Sequence, residues 1–144
     1  MKKTILFFFI TLILTSCSES KVRVACVGDS ITEGAGITKQ NRDAYPAVLD
    51  SLLIDAEVLN CGRGGTATQK RSDFSYWDTK EFSNLFVYNP EIVILKIGTN
   101  DTKPQNWGVG DFEKDYQALI DTLRTMPSSP KIVMCIPAPI FHTI

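Results

Sequence analysis

"EIVILKIGTND", residues 91–101, decides how the chain is read. From Glu91 to Gly98 it is nearly all apolar, as a central parallel strand covered on both faces should be. It then breaks at a glycine into a polar loop. "GTNDTKPQNWGVG" (98–110) carries no periodicity. "DFEKDYQALIDTLRTM" (111–126) does: Phe112, Tyr116, Leu119, Ile120 and Leu123 recur at helical spacing, and Asp111 is placed to cap the start. "KIVMCIP" (131–137) returns to strand character.

The pattern repeats upstream. "KVRVACVG" (21–28) is a short β-branched strand ended by Gly28. "DAYPAVLDSLL" (43–53) reads as a helix started by Asp43 or Ala44. Pro46 suits its first turn, and Val48, Leu49, Leu52 and Leu53 form its apolar stripe. "AEVLN" (56–60) is a second strand, closed by the glycine-rich "CGRGGTATQ" (61–69). "KEFSNLFVYN" (80–89) is a helix stopped by Pro90. Strands alternating with helices predict an α/β fold: an open parallel sheet in three layers, with right-handed crossovers and helices on both faces.

The 144 residues suffice for one domain, and 44% hydrophobic with 22% charged residues is a globular composition. A net charge of −1 and the lack of a long Lys/Arg run argue against a nucleic-acid partner. "MKKTILFFFITLILTSC" (1–17) has two lysines, an apolar run from Ile5 to Leu14 and then small residues. That is a signal peptide, with an apolar run too short to span a bilayer. Its end, "LTSC", resembles a bacterial lipobox, which makes Cys17 the lipid anchor. The expectation is an exported lipoprotein, periplasmic or anchored to the outer membrane, that meets the membrane only through that lipid. The folded domain then comprises residues 18–144. Cys26, Cys61 and Cys135 remain; Cys26 and Cys135 lie in apolar strand-like runs, so buried free thiols are expected rather than a disulfide. No Cys/His spacing suggests zinc, and neither a metal nor a cofactor is expected.

In an open parallel sheet, ligands bind beyond the carboxyl ends of the strands. Three strand ends carry polar residues: "GDS" (28–30), "NCGRGG" (60–65) and "GTND" (98–101). Acyl transfer needs this arrangement: a hydroxyl to attack a carbonyl and N–H groups to meet the oxygen as it turns negative. Ser30 is the candidate nucleophile, with its own N–H available to the oxyanion. Gly62 is the candidate backbone donor and Asn100 the candidate side-chain donor. A P-loop is excluded, because "GDSITEGAG" lacks Gly-Lys-Ser/Thr.

Taken together, "VGDSITEG" (27–34), "LNCGRGG" (59–65) and "KIGTND" (96–101) resemble the three blocks of the SGNH or GDSL hydrolases, in order and on the expected elements. The resemblance implies a flavodoxin-like hydrolase fold, a serine esterase activity, Ser30, Gly62 and Asn100 as catalytic groups, and Asp29 and Asp101 as braces for their loops. It also implies an Asp-x-x-His block after a fifth strand, which this sequence lacks. The only histidine is His142, with Pro139 three residues before it. The domain therefore reads as incomplete at its carboxyl terminus, and the chain as inactive on its own.

The substrate expected is a small-molecule or glycan ester, first of all an O-acetylated carbohydrate. Arg63 and Trp107 are candidate contacts, and Trp77 or Tyr76 could also stack on a sugar. The alternatives are a lipid ester hydrolase and a non-catalytic module that holds an acetylated glycan.

Overall fold

The computed structural model describes residues 20–137; Cys17 and His142 lie outside them. Four parallel strands form one sheet in the order β2-β1-β3-β4. They are β1 (Val22–Gly28), β2 (Ala56–Gly62), β3 (Ile92–Lys96) and β4 (Lys131–Met134). The helices are α1 (Ser30–Glu33), α2 (Gln40–Asp43), α3 (Tyr45–Leu52), α4 (Lys80–Tyr88) and α5 (Val109–Arg124), with single 3-10 turns at Tyr76–Asp78 and Thr99–Thr102.

The core lies on one face of the sheet. Ala25, Val27, Val93, Leu95 and Ile97 pack there against Tyr76 and Leu85 and against Leu119, Leu123 and Met126 of α5 and its exit. Burying side chains of this size is worth about 1.5–3 kcal/mol each. Cys61 belongs to the same core. Burial pushes its thiol up to about 12, and that of Cys26 up to about 11.

The opposite face is covered unevenly. β3 was expected to be covered on both faces, yet only Val93 and Leu95 are fully buried, while Ile92, Ile94 and Lys96 are half-buried. α3 lies on this side, and its apolar stripe stays largely in solvent, with Val48 42% and Leu52 71% exposed. β4 is the sheet edge among the described residues, and Met134 and Ile136 are exposed there.

Two helix boundaries differ from the sequence reading. α2 was not anticipated; it precedes α3, whose N-cap is Ala44 and whose first turn holds Pro46. α5 starts at Val109 rather than at Asp111, with Gly108 as its N-cap and no side-chain capping bond. Asp111 instead accepts a hydrogen bond from Arg71 Nε at 2.7 Å. A long-range partner has taken the carboxylate that local sequence would use as a cap.

Candidate active site

The strand register sets the site. Gly28 pairs with Gly62 on one side and with Lys96 on the other, so the three polar loops leave the sheet at one level. Ser30 opens α1 directly after β1. Asp29 caps this helix through Oδ1, which accepts from Ile31 N at 3.0 Å. The Ser30 carbonyl accepts from Gly34 N and Ala35 N at 3.0 and 2.9 Å, closing a tight turn beneath the half-buried serine.

The glycine loop crosses this turn at close range. A Cβ on Gly62 would collide with the backbone of Thr32 and Glu33, so β2 can end against α1 only with glycine there. Gly64 is near enough that a Cβ on it would lie 3.7 Å from Ser30 Cβ. The N–H groups divide clearly. Gly62 N donates to Asn60 Oδ1 at 2.9 Å, and Arg63 N to the Gly28 carbonyl at 2.9 Å. Thr66 N donates to the Arg63 carbonyl at 3.4 Å. Among the described residues, Gly64 and Gly65 are left as the loop N–H groups without a protein acceptor. Gly62 thus contributes the close approach, while its own N–H is already given away.

Asn100 sits in the 3-10 turn after β3, half-buried. Its Nδ2 donates to the Thr66 carbonyl at 3.0 Å, which ties the third loop to the second and leaves one amide hydrogen free to donate. Asp101 is fully buried. Its Oδ2 accepts from Thr68 N at 2.8 Å, and its Oδ1 from Thr68 N and Gln69 N at 3.0 Å each. A carboxylate bound this way faces backbone donors rather than the reacting centre.

Asn106, 1% exposed, fastens the same loops and escaped the sequence reading. Its Nδ2 donates to the Asn100 carbonyl and to Asp73 Oδ1, its Oδ1 accepts from Asp73 N, and its carbonyl accepts from Gln69 Nε2. The bonds from Asn106 and Gln105, together with Lys103, hold the Asp73 carboxyl below its ordinary range. No local signal marks a residue most of whose partners lie thirty-odd positions away.

The aromatic residues separate. Tyr76 is fully buried, donates its hydroxyl hydrogen to the Cys61 carbonyl at 2.7 Å, and is pushed well above the usual phenol range by burial. Trp77 is half-buried, with Nε1 bound to the Thr68 carbonyl and Lys70 Nζ over its ring. Tyr76 is structural and unavailable to stack on a sugar; Trp77 is anchored in its loop, with Lys70 over its ring. Trp107 is 50% exposed and lines a cavity of about 480 Å³ with Gly98, Thr99, Phe112, Met134 and Pro137, on the β4 side of Asn100. Arg63 is on the other side, over the ring of Phe74 and 4.0 Å from Glu33 Oε1.

Comparison with known proteins gives the family and the fold. Residues 26–143 match the GDSL-like lipase/acylhydrolase family, and residues 1–18 match the prokaryotic membrane lipoprotein lipid attachment site. The chain is 34% identical over 142 residues to an acetylxylan esterase of Xylanibacter ruminicola, covering 85% of this chain and 30% of that protein. The fold is similar to a carbohydrate acetylesterase family member from Sinorhizobium meliloti, with a TM-score of 0.65, 26% identity, and coverage of 85% of this chain and 65% of that one. It is also similar to a family two carbohydrate esterase from Clostridium thermocellum solved with cellohexaose. There the TM-score is 0.65 and the identity 20%, covering 85% of this chain and 45% of that one. The chain thus spans under a third of the acetylxylan esterase and about half to two thirds of the two solved relatives.

Proposed function

Because the chain belongs to the GDSL-like lipase/acylhydrolase family, we propose that it carries the nucleophile and oxyanion donors of a serine esterase acting on O-acetylated carbohydrate. The observation that carries this reading is the joining of the three loops at one level of the sheet. Ser30 lies against Gly64, and Asn100 is bound to Thr66. Ser30 Oγ attacks the ester carbonyl. The oxygen, as it becomes negative, is met by Ser30 N–H, by the free hydrogen of Asn100 Nδ2 and by the unengaged N–H of Gly64 or Gly65, which take the part first expected of Gly62. Each such donor contributes about 3–4 kcal/mol to the transition state. Asp29 and Asp101 hold the loops, as their bonds to backbone N–H groups allow. Arg63 and Trp107 flank the site from opposite sides as substrate contacts.

The Ser30 proton needs an acceptor, and residues 20–137 contain no histidine to take it. The one histidine of the chain, His142, lies outside the described residues. Cys17, within the stretch that matches the lipid attachment site, is the proposed point of membrane anchorage after export. The acetylated-carbohydrate substrate is supported by the resemblance to the acetylxylan esterase. A second reading, hydrolysis of a longer acyl ester, is favoured by one feature: the apolar cavity beside Asn100, roomy enough for an alkyl chain.

Acetate release from acetylated xylan and from p-nitrophenyl acetate tests the proposal. Acetate release that Ser30→Ala abolishes is the expected result. A rate unchanged in that variant would remove Ser30 from the mechanism. Preference for p-nitrophenyl octanoate over the acetate would move the substrate to the second reading. Binding of acetylated xylan with no release at all would leave only a carbohydrate-binding module.

A further inference from the structure

We propose that Phe74, together with Arg63 and Glu33, forms a stacking subsite for a neutral pyranose ring, the alcohol part of the ester attacked at Ser30. The inference rests on the hydrolase reading above and adds a site to it. Single exposed apolar residues are ordinary on protein surfaces; Phe74, 39% exposed, differs in how it is held and where it stands.

Its backbone is fixed on both sides. The Phe74 carbonyl accepts from Ala67 N at 2.9 Å, Tyr76 N donates to the Ala67 carbonyl at 3.0 Å, and Asp73 N donates to Asn106 Oδ1 at 2.9 Å. Ser75 and Ala67 form an isolated bridge between the two stretches of loop. An aromatic ring in solvent on so rigid a mount loses little entropy on binding and presents a fixed face.

The mount places the ring against Gly65, one residue from the glycine that borders the nucleophile. Gly65, with φ of +83°, runs along the ring so that a Cβ on it would lie 3.6 Å from Phe74 Cδ1. Its neighbour Gly64 is the residue that borders Ser30. Glu33 fills the space over Gly64, and Arg63 spans from Glu33 to Phe74, its Cζ 5.8 Å from the ring centroid. An exposed aromatic ring, a donor fork and an acceptor carboxylate therefore line one stretch of surface along Gly64 and Gly65. A pyranose offers the complement: a face of C–H bonds for the ring and vicinal hydroxyls that both give and accept hydrogen bonds. Arg63 and Glu33 are 48% and 31% exposed at their side chains and offset one another's charge. The spot thus suits a neutral sugar better than a uronic acid.

Titration of the full chain with xylotetraose, and separately with tetragalacturonic acid, tests this. The expected result is saturable binding of xylotetraose that Phe74→Ala weakens at least tenfold, with weaker binding of the acidic oligosaccharide. In Phe74→Trp, binding is retained, and the emission of the new indole shifts as xylotetraose is added. That variant also serves if Phe74→Ala folds poorly. Equal affinity of Phe74→Ala and the parent, an emission that ignores the sugar, or no binding by the parent would overturn the subsite. Preference for tetragalacturonic acid would overturn its neutral character. Labelling of Ser30 by a fluorophosphonate, measured on the same parent sample, reports the hydrolase reading separately. A labelled serine without Phe74-dependent binding removes the subsite alone, and Phe74-dependent binding without labelling removes the hydrolase reading alone.

Discussion

Asp29 and Asp101 follow the first and third strands in comparable places, yet they are held in different ways. Asp101 is enclosed and grips the glycine loop through Thr68 N and Gln69 N, more than thirty positions away. Asp29, equally buried, caps only its own short helix through Oδ1, and Oδ2 has no partner among the described residues. The donor side of the site is thus tied across the fold, while the nucleophile side is held locally. The faces of the sheet repeat the contrast. Tyr76, Leu119 and Leu123 close one face into a core, whereas Ile94 and Leu52 leave the other half open.

The contrast can be broken most directly at the aspartates. Asp101→Ala strands two buried backbone donors, at roughly 1–3 kcal/mol each, and is expected to destabilise the fold by about 2–5 kcal/mol in urea unfolding. Asp29→Ala loses a cap, about 1 kcal/mol. Equal losses would erase the difference between the two loops. Next in size is the comparison of faces. Leu119→Ala empties a fully buried site and should cost about 3 kcal/mol. Leu52→Ala, at a position 71% exposed, should stay within about 0.5 kcal/mol. A costly Leu52→Ala would mean that the α3 face is packed in solution.

The smallest effect concerns acid. The Asp73 carboxyl is held below its ordinary value, so the ionised form binds its partners more tightly folded than unfolded. Its contribution is complete above the usual carboxylate value of about 4 and is lost as pH falls through the lowered one. Asp73→Asn should lower stability slightly at neutral pH, where the contribution of the charge is complete, and flatten the further decline over that acid window. An unchanged acid limb would mean that Asn106 holds the loops without help from this charge.

Much of this was visible in the sequence, because apolar runs and helical spacing are local. The four strands, the three main helices and the three polar loops followed from residues within a few positions of one another. The misses came from distance. Asp111 looked like a cap until Arg71 claimed it. Tyr76 looked like a sugar platform until its hydroxyl proved bound to Cys61 inside the core. Gly62 is the local exception: it looked like an oxyanion donor until its N–H proved given to Asn60, two positions back. Asn106 and Phe74 carried no periodic signal, since what matters about them is made by contacts between loops.

The central claim is that the Ser30 hydroxyl is the nucleophile and faces the amide donors of the other two loops. Mass spectrometry of the chain after treatment with a fluorophosphonate tests it most directly. The account predicts one adduct on the peptide that contains Ser30, lost in Ser30→Ala and strongly slowed in Asn100→Ala. An unmodified Ser30, or labelling indifferent to Asn100, would contradict it.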